Sequence, residues 1–376
     1  MKRKPIRYIS INWIIISLFV IMIFLPLAGS IFGWSVWQDL GEKRSLVKCP
    51  VLGADPIELF LEKFDSYFKD HFGFRNTFIR GYNHLMHRVF MNLPSDQVIL
   101  GKNNWLYLVK DGAMKYFMGR KLLPPEELAE YSNDLEEKQS WMKAEGIHYL
   151  YVVIPNKTTI YPEFLPNHIQ RYRGRARLDQ LLDYFAETSN IEIFDLRDAL
   201  HQAKMTDVVY HSNDTHWNSR GAFFARREIC KQLKKYYPDI NPDVMADYKI
   251  ETRSHVGDLA MMLGLGSELQ IECEILVPLK PAVLSISKSK VSTRYSLPQL
   301  ESEFRLVVIE NNARKKPSVL IFHDSFMATD DMMERFSENF SRSVFVWWHP
   351  DTEILKSIVM EEKTDIVIEE YGERAL

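Results

Sequence analysis

The feature that most restricts the fold is an alternation that runs through most of the second half of the chain. Charged amphipathic stretches of ten or more residues are interleaved with short, almost wholly apolar runs. Glu126–Glu145 reads as a helix stopped by Gly146, and His148–Ile154 (HYLYVVI) as a buried strand. Arg175–Thr188 is predicted helical, Ile191–Phe194 a strand, and Ser219–Tyr237 a further helix. After a stretch at 245–304 that predicts only short strands and loops, the rhythm resumes. Arg305–Glu310, strand Ser318–Phe322, a helix around Asp331–Asn339 and strand Ser343–Trp348 follow, and helix Thr352–Glu362 and strand Asp365–Glu369 close the chain. Strands separated by helices of this length build βαβ units, so the pattern predicts an α/β fold with a mostly parallel sheet covered by helices on both faces. Ligands of such sheets gather at the carboxyl ends of the strands, which directs attention to the residues just after each apolar run.

Upstream the chain differs. No charged residue occurs from Tyr8 to Gln38, while Lys2, Arg3, Lys4 and Arg7 crowd the positions before it. Trp13–Phe32 supplies 20 apolar residues broken only by the hydroxyls of Ser17 and Ser30, enough to cross a hydrocarbon core of roughly 30 Å. The basic tip predicts a cytoplasmic N-terminus with the rest of the chain outside, and Trp34 and Trp37 fit an aromatic belt at the outer interface. A cleaved signal peptide competes, because Ala28-Gly29-Ser30 offers small residues to a peptidase. The apolar stretch nevertheless exceeds the roughly 7–15 residues of a signal core, which favours an uncleaved anchor in the inner membrane, with the main body in the periplasm. The expected organisation is a tip and transmembrane anchor over 1–38 and a linker over 39–60, with Gly41, Pro50, Gly53 and Pro56 as breakers. One large domain over 61–376 completes it. From Pro56 the pattern becomes helical, with Leu59, Phe60, Phe64, Tyr67 and Phe68 recurring near i, i+4 and i+8. A short hairpin is expected at Val98–Gly101 and Trp105–Leu108.

Charge and cysteine content narrow the function. Without the four N-terminal basic residues the chain carries −7 rather than −3. That balance argues against nucleic acid, whose phosphates call for a basic face. Cys49, Cys230 and Cys273 form no CxxC, so no thiol-based metal or redox site is expected, and at most one disulfide.

Two strand ends carry candidate chemistry. In Ser318–Met327, a buried strand runs into Asp324-Ser325 before an expected helical stretch. Backbone N–H groups and a helix dipole there would suit a developing oxyanion, although Asp-Ser is also an ordinary helix cap. In Tyr210–Gly221, Asp214 and His216 project to one side of an extended segment, so the carboxylate can orient the imidazole as a general base. A metal site on His211, Asp214 and His216 is the other chemical reading, though no paired motif supports it. Taken together, Ser325, His216 and Asp214 supply nucleophile, base and orienter. The Asp-x-His precedes the serine, and no G-x-S-x-G elbow is present, which argues against an ordinary α/β-hydrolase.

With those residues in place the chain resembles the alginate O-acetyltransferase family, periplasmic SGNH-hydrolase-like proteins that acetylate exopolysaccharides. The matching blocks are Tyr67–Arg75, Leu100–Tyr107, Val153–Pro162, Asp214-Thr-His-Trp-Asn218, Gly257-Asp-Leu259, Asp324-Ser-Phe326, and Asp365–Glu369 with Glu373-Arg374. The resemblance implies a flavodoxin-like, SGNH-type sheet, permuted relative to secreted esterases, and an Asp214–His216–Ser325 triad. It also implies transfer of acetyl groups to an exported polysaccharide, with a membrane-bound acyltransferase as partner because acetyl-coenzyme A is cytoplasmic. It calls for no metal or cofactor. His323 stands where a Gly-Asp-Ser motif would have glycine, so it either lines the pocket or packs beneath it. Asn156, after the 148–154 strand, is a candidate oxyanion donor or a turn residue, and Arg75 either binds an anionic glycan or ties down its helix. A glycan O-acetyl esterase with the same triad, and a non-catalytic polysaccharide-binding subunit using Trp105, Trp217, Trp347 or Trp348 as sugar platforms, remain the alternatives.

Overall fold

The structure is a computed structural model that describes residues 11–32, 46–53, 55–90, 93, 95–280, 283–296, 304–311, 316–329 and 331–376. The basic tip, Trp34, Trp37 and Gly41 lie outside the described residues. Two compact units form, one of residues 1–95 with Ala260–Glu268, the other of Asp96–Leu259 with Leu269–Leu376.

The first unit holds three long helices: α1 (Ile11–Phe32), α2 (Ile57–His71) and α3 (Arg75–Phe90). Over Ile11–Ser30, α1 is long and apolar enough to cross a membrane, by length and composition, and an anchor and a signal sequence meet that description equally. Between α2 and α3 the chain turns through Gly73 and Phe74, the latter at φ 61°.

The second unit is built on a seven-stranded sheet. Its strands are β3 (His148–Ile154), β4 (Ile193–Asp195), β7 (Leu284–Lys290), β8 (Arg305–Asn311), β9 (Ser318–Phe322), β10 (Arg342–Val346) and β11 (Ile366–Gly372), in the order β4-β3-β11-β9-β10-β8-β7. The first five of that order are mutually parallel, and β8 runs antiparallel to both β10 and β7. The predicted mixed α/β fold with a mostly parallel, SGNH-like sheet is therefore observed.

Alternation along the strands explains why both faces are covered. On β9, Val319 and Ile321 face a core shared with Trp217, Ala222 and Ile229, which packs helix Ser219–Lys234 onto the sheet. Leu320 and Phe322 face the other way, into a core with Leu355, Ile358 and Val359 of helix Thr352–Glu362. Helices Pro125–Ala144 and Arg177–Thr188 share a third cluster with Tyr151 and Val153. Each fully buried aliphatic or aromatic side chain contributes about 1.5–3 kcal/mol, and the central strands bury nearly every side chain.

Two small sheets flank this core. Strands β1 (Val98–Leu100) and β2 (Leu106–Leu108) form the expected hairpin. The 245–304 stretch departs from its reading as short strands and loops: β5 (Tyr248–His255) and β6 (Ile271–Pro278) pair antiparallel over eight residues, and β7 joins the main sheet. Of the three cysteines, Cys49 is exposed, Cys230 buried and Cys273 half-buried.

Candidate active site

Asp214 and His216 sit on a tight loop rather than the extended segment expected. Tyr210 and Trp217 bridge antiparallel at its neck, and His211 N–H donates to the His216 carbonyl at 3.3 Å. Asn218 then caps helix Ser219–Lys234, its side-chain oxygen accepting from Arg220 and Gly221 N–H. The bend brings the pair together more firmly than a strand would. Asp214 Oδ1 accepts from the His216 backbone N–H at 3.0 Å and lies 2.7 Å from His216 Nδ1. His216 Nε2 stands 2.8 Å from Ser325 Oγ.

Ser325 follows β9 by three residues, but no regular helix begins there. Residues 325–328 form turns, and the next helix starts at Met332. The expected helix dipole is therefore absent behind the serine. Asp324 shapes the turn instead, with Oδ1 accepting from Phe326 N–H at 2.8 Å and Oδ2 from Gly372 N–H at 3.1 Å. Its own N–H donates to Glu370 of β11 at 3.0 Å. Phe326 is fully buried, edge-on to the His216 and Trp217 rings, and the Trp217 indole N–H donates to Thr329 Oγ1 at 3.0 Å.

The charge state of Asp214 follows from its partners. Burial alone would raise its pKa. Hydrogen bonds from His216 and His255, the charge of His216 and the Asp258 N–H (2.8 Å from Oδ2) outweigh this and hold the carboxyl far below its usual range. A permanently ionised Asp214 fixes the His216 tautomer that leaves Nε2 to accept the serine proton.

The loop is held by residues that the motif reading passed over. Lys157, fully buried after β3, donates from Nζ to the carbonyls of His211 (3.1 Å), Ser212 (3.2 Å) and Asp214 (2.5 Å). It sits over the Trp105 and Tyr107 rings, and burial pushes its pKa down to about 7 against the pull of Asp214 and Asp258. Leu106 N–H of the β1–β2 hairpin donates to the Ser212 carbonyl at 2.8 Å. Asp258 accepts from Thr215 N–H and Oγ1 at 2.8 and 2.6 Å, and His255 stacks on His211 at 3.8 Å. Lys157, Asp258 and Trp105 all lie within the blocks quoted for the resemblance, which mark the first two without giving them a role.

The remaining candidates are distributed as follows. Asn156 follows β3 by two residues and is buried, with its N–H donating to Glu373 Oε2 at 2.7 Å and neither atom of its side-chain amide partnered. It lines a cavity of about 20 Å³ with Lys157, Thr158, Thr215 and Arg374. Thr215 adjoins His216, and the Arg374 guanidinium lies 5.5 Å from the ring of Phe326. Glu373 accepts from Thr159 as well, and burial raises its pKa to about 7. His323 is buried against Phe345 and Trp347, with Nδ1 2.6 Å from the Asp324 carbonyl oxygen and a pKa pushed down by burial to about 4. Its neutral ring is thus packed against the sheet at the foot of the Asp324 turn. Arg75 belongs to the other unit, where its Nε–H donates to the Lys69 carbonyl at 3.1 Å across the α2–α3 corner. Among the described residues, donor atoms of Asp214, His216 and Asp258 lie within 4.8 Å of one another, with Asp258 rather than His211 as the third member.

Comparison with known proteins identifies the family. Residues 98–286, half of the chain, match the family described as SGNH hydrolase-like domain, acetyltransferase AlgX. The probable alginate O-acetylase AlgJ of Pseudomonas fluorescens is 26% identical over 197 residues, 51% of this chain and 48% of that protein. Its namesake from Pseudomonas aeruginosa PAO1 is 28% identical over 179 residues, 45% and 41% respectively. The chain thus spans about half or less of the length of these relatives. In fold it is similar to Bacillus cereus PatB1, solved with a sulfonyl adduct, at TM-score 0.52 and 15% identity over 74% of this chain and 96% of that one. With an α/β sheet that carries serine, histidine and aspartate at adjoining loops and a sequence match across half its length, the chain belongs to the AlgX/AlgJ family of SGNH hydrolase-like proteins.

Proposed function

We propose that this protein is an O-acetyltransferase that esterifies hydroxyls of an exported polysaccharide, with alginate, the polymer in the names of its relatives, as the first candidate acceptor. The observation that carries the proposal is the chain of contacts from Asp214 through His216 to Ser325, 2.7 and 2.8 Å long. Ser325 Oγ attacks the acetyl carbonyl while His216 Nε2 takes its proton and Asp214 stabilises the imidazolium. The tetrahedral intermediate collapses, His216 returns the proton to the leaving group, and acetyl-Ser325 remains. A sugar hydroxyl then enters, gives its proton to His216 and attacks the acetyl carbon, releasing the ester and free serine. We assign the unpartnered amide of Asn156 to the oxyanion, because its cavity is lined by the neighbours of His216 and reaches the Arg374 that overlies Phe326.

In this reading α1 is an uncleaved anchor and the catalytic unit works outside the cytoplasmic membrane. A membrane-bound acyltransferase then delivers the acetyl group. The test is transfer from an activated acetyl ester to polymannuronate by the full-length protein. The wild type should form an acetylated polymer and a labelled serine with a phosphonate. Ser325→Ala should lose the label and at least about 10⁴-fold of the transfer rate. Acetate release with no acetylated polymer from any glycan would replace the transferase with an esterase, and undiminished labelling of Ser325→Ala would remove the serine as nucleophile.

A further inference from the structure

Helices α2 and α3 expose apolar stripes that none of the described residues covers. On α2, Ile57, Leu61, Phe64 and Phe68 recur at i, i+4, i+7 and i+11. On α3, Phe78, Tyr82, Leu85 and Val89 repeat the same spacing. All eight are between 44% and 61% exposed, and α2 buries no residue at all. Such spacing gathers each set on one side of its helix, a contiguous apolar strip about 16 Å long. On α3 the opposite side is the one packed against protein: Asn83, turned well away from the stripe, is buried and donates to the Leu263 carbonyl at 2.8 Å.

The position of the corner between these helices says what meets the stripes. Gly73 N–H donates to Ser30 Oγ of α1 at 2.7 Å, and a Cβ at Gly73 would stand 2.2 Å from the Pro26 carbonyl oxygen. The Phe74 ring closes against Gly29. The corner is therefore locked to the last turns of the membrane-length segment Ile11–Ser30, about 20–25 Å along the helix from Trp13 at 1.5 Å per residue. That is about 5–10 Å short of the far edge of a hydrocarbon core of roughly 30 Å, the depth to which an interfacial helix sinks its apolar face. Charge agrees: no Asp or Glu occurs between Asp70 and Asp96, whereas α3 carries Arg75, Arg80 and Arg88. A basic helix with an apolar aromatic face is the composition of a helix lying in a lipid interface.

We propose that α2 and α3 lie on the outer phospholipid surface around α1, their stripes sunk to the headgroup–acyl boundary. The proposal rests on α1 being inserted as an anchor. In this arrangement the exposed Arg88 beside the α3 stripe meets anionic headgroups, and the acids of α2 (Glu58, Glu62, Asp65) turn off the stripe toward water.

The experiment uses the full-length chain with Cys49→Ser and Cys273→Ser, reconstituted in vesicles of phosphatidylethanolamine and phosphatidylglycerol. A nitroxide is attached in turn to Leu61→Cys, Phe64→Cys, Leu85→Cys, Val89→Cys, Glu62→Cys and Met22→Cys. Phosphonate labelling of Ser325 verifies that each variant is folded. Labels on the stripes should be severalfold more accessible to dissolved oxygen, relative to an aqueous nickel complex, than the label at Glu62. Stripe labels as open to nickel as Glu62, with Met22 immersed in lipid, would overturn the proposal and leave the anchor standing. Stripe labels shielded from both reagents would overturn it in favour of a protein occupant. Nickel access at Met22 itself would remove the anchor and the proposal with it.

Discussion

Asp214 receives hydrogen bonds from the His216 side chain, the His216 backbone and the Asp258 backbone, and has His255 Nε2 at 3.4 Å. That saturation of one carboxylate contrasts with the carboxyl of Glu373, buried to 0% exposure, whose pKa stands at about 7. Because the folded value lies above the unfolded one near 4.5, the native state holds the proton more tightly. The stability so gained is full below pH 4.5 and is lost as pH rises through 7, on the order of 3 kcal/mol at the limit. Glu373→Gln keeps an acceptor for the Asn156 N–H and removes the titration. Melting temperatures in mild detergent should therefore show the wild type falling relative to Glu373→Gln between pH 4.5 and 8; a constant gap would mean that Glu373 does not titrate there. At this scale the triad was legible, because Asp-x-His and Asp-Ser are short, local patterns at strand ends. Glu369, Glu370 and Glu373 were not, since a string of acids at the end of a strand gives no sign that tertiary packing will enclose it. The same holds for Lys157, whose three carbonyl partners lie 54 to 57 residues away.

At the level of elements, the site depends on how closely a second backbone approaches the 210–217 loop. A Cβ on Gly257 would stand 2.1 Å from the Asn213 carbonyl oxygen, adjacent to Asp214. Gly257→Ala must push either the loop or the β5 connection aside. The expected result is a loss of about 1–3 kcal/mol in stability, with transfer reduced by about 10²-fold as the His216–Ser325 distance opens. An unchanged melting temperature and rate would show that the approach is looser than described. Periodic elements were read well: helix Thr352–Glu362 and strand His148–Ile154 have the bounds that the sequence predicts. The β5–β6 arm escaped because β5 (YKIETRSH) is mostly exposed on both sides, so no apolar alternation marks it. The expected helix after Ser325 failed for a different reason: Asp324 bonds locally to Phe326 and forms a turn, which competes with helix.

Over the whole molecule, the triad and its supports belong to the second unit, and the membrane-length helix to the first. Removing residues 1–45 should leave phosphonate labelling of Ser325 within about twofold of the full-length rate, because the hydrogen bonds described for Asp214, His216 and Ser325 lie within the second unit. A collapse of labelling would show that the N-terminal part is needed to form the site.

The strand order carries one more consequence. Strand β11 is central: it lies between β3 and β9, and Gly372 at its end donates to Asp324, the neighbour of Ser325. The turn that carries the serine is therefore pinned from the strand beside its own. A slip of one residue between β11 and β9 would carry Gly372 off Asp324 and turn every β11 side chain to the opposite face. The alignment of two central strands thus sets the aim of a single oxygen atom.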